Sequence, residues 1–179
     1  MELVRSADPA RVESALLSRV LAPYRPNCRY LRAATVHGRD GLAWAEGEFA
    51  IPESCYIDDT GHFNSVEFNL CYNQLVYVLM AQCVVSRYVP ALNSMSLDDY
   101  LRRQLPDVLI HEFRSVFRKP LDPRAFRGTV AIERAVDKRR FAVLETVVAF
   151  EDGRGGHAQG RVDLAIVDRA GDERAAAGS

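Results

Sequence analysis

The rhythm of apolar and polar positions changes several times along the chain. Residues 9–21 follow Asp8-Pro9, a capping residue and a proline at the first helical position, and place Val12, Ala15, Leu16, Val20 and Leu21 at helical spacing. This predicts an amphipathic helix that Pro23 and Pro26 end. Residues 30–36 and 42–51 read as two strands joined by a turn at His37-Gly38-Arg39-Asp40-Gly41. From Asn64 to Tyr88 there is neither Pro nor Gly, and apolar residues occur nearly all round, so a long helix buried on most sides is expected. Ser96-Leu97-Asp98-Asp99 has the form of a capping box and starts a short helix through Leu105, closed by Pro106 and packed beside the long one. Residues 111–117, 129–136, 141–150 and 160–167 are rich in Val, Ile, Phe and Leu and are separated by turn chemistry, the pattern of four strands.

A buried helix followed by consecutive strands with hairpin connections points to an α+β protein whose antiparallel sheet wraps the helix, the hot-dog arrangement. Phe141-Ala142-Val143-Leu144 and Val147-Val148-Ala149-Phe150 are apolar on both strand faces. A helix on one face and a second subunit on the other account for that, so a homo-oligomer is expected. One domain over residues 1–168 is expected, with residues 169–179, charged and rich in Ala and Gly, as a frayed tail.

Charge and composition then remove several classes of function. With 23 basic and 24 acidic side chains intermixed, the sequence has no cationic footprint for nucleic acid. The apolar run from Leu75 to Val85, interrupted by Gln82, is shorter than the ~20 residues that cross a bilayer, so no membrane span is expected. The N-terminal residues lack the basic start and apolar stretch of a secretory signal, which predicts a cytoplasmic location. Cys28, Cys55, Cys71 and Cys83 form no Cys-x-x-Cys pair and read as small buried hydrophobes in a reducing compartment, so neither a disulfide nor a metal site is expected.

No Gly-x-Ser-x-Gly elbow is present, and Gly153-Arg154-Gly155-Gly156 lies between two strands, where it is a turn and not a phosphate loop. The chemistry gathers instead at Thr60-Gly61-His62-Phe63-Asn64-Ser65-Val66-Glu67. Asn64 with Glu67 three residues later resembles a capping box. The same helix terminus offers the amides of Ser65, Val66 and Glu67 to a thioester carbonyl that gains negative charge as it reacts. Asn73, among Leu70, Cys71, Leu75 and Val76, needs a partner if buried: either a neighbouring strand or the substrate. Tyr24 and Tyr56 are phenols in loops, suited either to donating to a carbonyl or to surface packing.

These segments carry a resemblance. Glu53-Ser54-Cys55-Tyr56-Ile57, the stretch from Thr60 to Glu67, Leu70-Cys71-Tyr72-Asn73-Gln74-Leu75, Ser96-Leu97-Asp98-Asp99-Tyr100 and Phe117-Arg118-Lys119-Pro120-Leu121 are similar, in the same order, to those of the FcoT family. The resemblance spans residues 15–167 and implies a hot-dog fold. It also implies action on acyl thioesters, either as a long-chain acyl-CoA thioesterase or as the (2E)-enoyl-ACP glycyltransferase of isonitrile lipopeptide biosynthesis. It further implies polar site residues at Tyr24, Tyr56, Asn64 and Asn73, no cofactor, and no acidic nucleophile, which leaves Glu67 as a cap.

The chemistry expected on that basis is conjugate addition of glycine to an enoyl group carried by an acyl carrier protein or coenzyme A, followed by thioester hydrolysis. The amine needs a base, and His62 is the nearby group that titrates near neutrality, unless its ring only pins the loop. Glycine's carboxylate needs a cation, for which Arg118 or Lys119 is suited, unless both are solvated strand-edge charges. The rival readings are acyl-CoA hydrolysis in the same pocket and a non-catalytic acyl-carrier interaction module.

Overall fold

The strand pattern of the second half of the chain folds as four long antiparallel strands in the computed structural model, which describes residues 9–39, 41–138 and 141–167. They are β4 (Val108–Lys119), β5 (Phe126–Lys138), β6 (Phe141–Glu151) and β7 (His157–Val167), each starting or ending beyond its apolar stretch because polar residues on the outward face share the same ladder. The opening hairpin is β2 (Leu31–Arg39) and β3 (Leu42–Phe49). Together with the short β1 (Ala10–Arg11) they form one antiparallel sheet among the described residues, in the order β1-β2-β3-β5-β6-β7-β4.

The first helix is shorter than its periodicity predicts. Ala10 and Arg11 pair with Val36 and Thr35 of β2, and the Val12 amide donates to Ala34 O, so α1 begins only at Ser14 and runs to Leu21. Strand pairing has overridden the capping signal at Asp8-Pro9, of which Asp8 lies outside the described residues. The proposed tail also lies outside them.

The long helix α2 (Ser65–Ser86) is enclosed by the inner face of the sheet, and α3 (Leu97–Arg103) packs beside it, with the Tyr100 hydroxyl donating to Tyr77 O at 2.9 Å. By length and composition α2 is apolar enough to cross a membrane, yet 72% of its most apolar window is buried inside this fold, as the core helix of a wrapped sheet must be. The N-terminal half of α2 is seated in aromatic side chains: Phe68 lies 5.0 to 6.1 Å from the rings of Phe63, Phe113, Phe117 and Phe150. Gly47 and Gly128 face each other across β3 and β5, and a side chain at Gly128 would meet the Phe150 ring at 2.5 Å, so the sheet makes room there for this cluster. That seat fixes where the N-terminus of α2 points.

Candidate active site

The start of α2 is held by a capping box that the Asn64-x-x-Glu67 spacing predicts. Asn64 Oδ1 accepts from the amides of Val66 (2.9 Å) and Glu67 (3.2 Å), and Glu67 Oε2 accepts from the Asn64 amide at 3.2 Å. This corrects one expectation: of the three amides offered to a carbonyl, those of Val66 and Glu67 are taken by the cap, and only Ser65 stands outside it. The same Oδ1 also accepts from the Tyr56 hydroxyl at 2.7 Å. Three donors on one atom assign the oxygen of this amide, so the Asn64 Nδ2 group, which makes no hydrogen bond among the described residues, is the free donor.

Glu67 is buried, and burial pushes its carboxyl above the ordinary range. A native state that holds this proton more tightly than the unfolded chain is most stable below the ordinary Glu value and loses stability as pH rises from there through the raised one. Glu67→Gln keeps a capping acceptor and removes the titration. Its melting temperature relative to wild type should therefore rise with pH across that window, and a constant difference between pH 4 and pH 8 contradicts the assignment.

Ahead of the helix, Gly61 takes φ +75°, the left-handed region that glycine reaches without strain, and its amide donates to Asp59 Oδ1 at 2.8 Å. The exposed His62 ring then places Nδ1 3.0 Å from Thr60 O. A carbonyl only accepts, so Nδ1 carries hydrogen and, in the neutral ring, Nε2 is left with the lone pair. His62 thus pins its loop and leaves Nε2 without a hydrogen bond among the described residues. His62, Phe63, Asn64 and Ser65 line a cavity of about 450 Å³ whose other wall is Phe117, Arg118, Lys119 and Pro120 at the end of β4. Arg118 and Lys119 make no ion pair among the described residues, so both remain available to an anion.

Tyr24 and Asn73 stand elsewhere. Asn73 lies nine residues along α2 from Asn64, about 13 Å by helical rise. It is half-buried, and among the described residues its side chain makes one hydrogen bond, from Nδ2 to Asn69 Oδ1 at 3.3 Å. Among the described residues it makes no bond to a neighbouring strand. Tyr24 sits near Cys71 and Tyr77 of the same helix, and burial pushes its phenol well above the ordinary value. Neither lines the cavity at the start of α2.

The sequence reading missed the connection behind Tyr56. Cys28 and Cys55 are joined in a disulfide with Cα atoms 5.5 Å apart, which overturns the expectation that all four cysteines are free and removes the cysteine argument for a reducing compartment. Hairpin pairing explains it: Leu31 opposes Phe49, so the chain before β2 and the chain after β3 leave the sheet side by side. Cys71 and Cys83 are buried thiols, as expected. Gln74, fully buried, donates from Nε2 to Cys28 O at 2.6 Å, and its Oε1 accepts from the amides of Tyr30 (2.9 Å) and Leu31 (3.0 Å). A glutamine inside an apolar helix was the available signal.

An antiparallel sheet wrapped round one long helix, with an amide, a phenol and a free imidazole nitrogen at the helix terminus, defines a hot-dog protein of the thioesterase kind. Residues 19–166 match the FcoT-like thioesterase domain, and the chain belongs to that family. It is 45% identical over 162 residues, 87% of this chain and 98% of the relative, to a (2E)-enoyl-[ACP] glycyltransferase of Streptomyces coeruleorubidus. It is 38% identical over 92% of each chain to the protein of that name from Mycobacterium marinum. Among solved structures, a putative thioesterase from Shewanella oneidensis (TM-score 0.51, 11% identity, 87% of this chain and 100% of that one) shares the fold. So does the dehydratase heterocomplex ApeI:P from Xenorhabdus doucetiae (TM-score 0.52, 12% identity, 86% of this chain and 92% of that one).

Proposed function

We propose that the chain is a (2E)-enoyl-ACP glycyltransferase that adds the glycine amine to the β-carbon of an enoyl thioester on an acyl carrier protein and then hydrolyses the thioester, giving a 3-(carboxymethylamino) fatty acid for isonitrile lipopeptide biosynthesis. The observation that carries this reading is the shared cavity: Arg118 and Lys119, without an ion pair among the described residues, line it together with His62, Asn64 and Ser65, and Arg118 also borders the groove of Arg114 and Arg161. Hydrolysis of an acyl-CoA needs a carbonyl clamp and water, but no fixed cation beside the reacting carbonyl, since the phosphates of coenzyme A lie at the far end of the pantetheine arm. An amino acid needs one.

In this mechanism Asn64 Nδ2 and the Ser65 amide donate to the thioester oxygen, which makes the β-carbon electrophilic. Arg118 or Lys119 holds the glycine carboxylate, and His62 Nε2 takes a proton from the glycine ammonium. The amine lone pair then forms the C–N bond, the alkene pair moves to the α-carbon as the oxygen gains charge, and a proton returns to the α-carbon. Water cleaves the thioester afterwards, releasing the carrier thiol. Tyr24 and Asn73 act on the part of the substrate that lies along α2.

Exchanging both cations, Arg118→Ala with Lys119→Ala, should raise the Michaelis constant for glycine about tenfold or more, the worth of a charge-assisted hydrogen bond, with a smaller effect on that for the enoyl carrier. An unchanged glycine constant removes these residues from the site.

The same reading includes a homo-oligomer in the cytoplasm. β4 has no strand on its outer edge among the described residues and exposes Leu109 (42%), Ile110 (39%) and Phe117 (42%). Pairing with a second copy covers such an edge.

A further inference from the structure

A closed ring of contacts runs from the middle of α2 back to its own N-terminus. Gln74 grips the chain at Cys28, Tyr30 and Leu31, the Cys28–Cys55 disulfide and the Tyr30 hydroxyl both hold Cys55, and the next residue, Tyr56, donates to Asn64 Oδ1. The segment between β3 and α2 has no regular structure. Its ends are fixed by the amides of Ile51 and Phe63, which donate to Pro123 O and Leu121 O at 2.8 and 3.0 Å. Between those anchors, Cys55 is where the middle of the segment is fastened to the rest of the fold: covalently to Cys28 and through its amide, which donates to Tyr30 at 2.9 Å. Both sulfur-bearing residues are half-buried, whereas Cys71 and Cys83 are fully buried.

We propose that Gln74, Tyr30 and the Cys28–Cys55 disulfide are positioning residues for Tyr56, and that the disulfide makes this positioning depend on redox state. The inference rests on the reading of Asn64 as the carbonyl clamp. Attack of a dithiol reductant on one sulfur gives a mixed disulfide. Its second thiol then completes the exchange, so that two electrons and two protons pass to the protein, leaving Cys28 and Cys55 as thiols and the reductant as a cyclic disulfide. The Gln74 contacts and the Tyr30–Cys55 hydrogen bond survive, so the fold persists. Cys55 is then held by that single reversible hydrogen bond, and each time it opens Tyr56 hangs on a longer free loop whose ordering costs entropy, so its hydroxyl meets Asn64 less often.

The test compares oxidised and dithiothreitol-reduced protein, with alkylation and mass measurement to establish the state of the Cys28–Cys55 pair. Reduction should lower kcat about fivefold, the worth of one neutral hydrogen bond, and reoxidation should restore it. The double variant Cys28→Ser with Cys55→Ser should sit at the reduced level under both conditions. Tyr56→Phe should sit there too, with no further response to reduction. A wild type equally active in both states, or a Tyr56→Phe protein that still responds, overturns the proposal. Amide exchange over residues 52–62 separates this from the activity reading. Faster exchange there on reduction, with α2 unchanged, supports the link even if no glycine adduct forms. Unchanged exchange overturns it whatever the activity.

Discussion

Asn64→Asp is expected to lower turnover about 100-fold while leaving the fold intact, because it separates the two halves of one amide. The aspartate keeps the oxygens that cap α2 and accept from Tyr56, and aspartate caps helices as well as asparagine does. What it loses is Nδ2, the donor assigned to the thioester oxygen, and it brings a negative charge to the place where negative charge develops. Asn64→Ala loses the cap as well, so it should show the same catalytic loss together with a stability loss of about 1 kcal/mol. Measuring kcat and thermal unfolding for both variants separates the roles. Full activity in Asn64→Asp would leave the clamp to the Ser65 amide alone.

The second large effect is expected at Asn73. Among the described residues its side chain bonds only Asn69, on the same half-exposed stripe of α2, so truncation should change stability by no more than about 0.5 kcal/mol. Turnover of Asn73→Ala should nevertheless fall about 100-fold, since its side chain belongs to the surface along which the acyl-pantetheine arm is expected to lie. A fully active, equally stable Asn73→Ala protein removes it from the site and leaves the chemistry to the helix terminus. Because the residue is structurally cheap, the result reads on chemistry directly.

What the sequence allowed one to see follows the range of the interactions. The Asn64–Glu67 and Ser96–Asp99 capping boxes are three-residue signals, and both appear as spaced. The long helix was legible because twenty-two residues without a breaker and apolar on all sides leave few other folds. The start of α1 was misplaced because its competitor, the pairing of Ala10 and Arg11 with β2, lies some 25 residues away. The same distance hid the Cys28–Cys55 bond, whose partners are 27 residues apart and meet only once the β2–β3 hairpin has closed. At the site, residue types were readable but atoms were not. Asn64, Glu67 and His62 could be named in advance, whereas only the geometry shows that the cap consumes two of the three amides and frees Nδ2. Glu67, offered both as cap and as part of the clamp, is engaged in the cap.

Glycine is expected to enter the cavity between His62 and the cations of β4 as a second substrate. Incubating the protein with a crotonyl-loaded carrier protein and nitrogen-15 glycine, and weighing the released acid, tests it most directly. The released acid should carry the mass of labelled glycine and form at a rate that rises with glycine concentration. Free crotonic acid released at a rate indifferent to glycine would make the protein a hydrolase, and a thioester left unchanged would make it a carrier-binding module; either result contradicts glycine transfer.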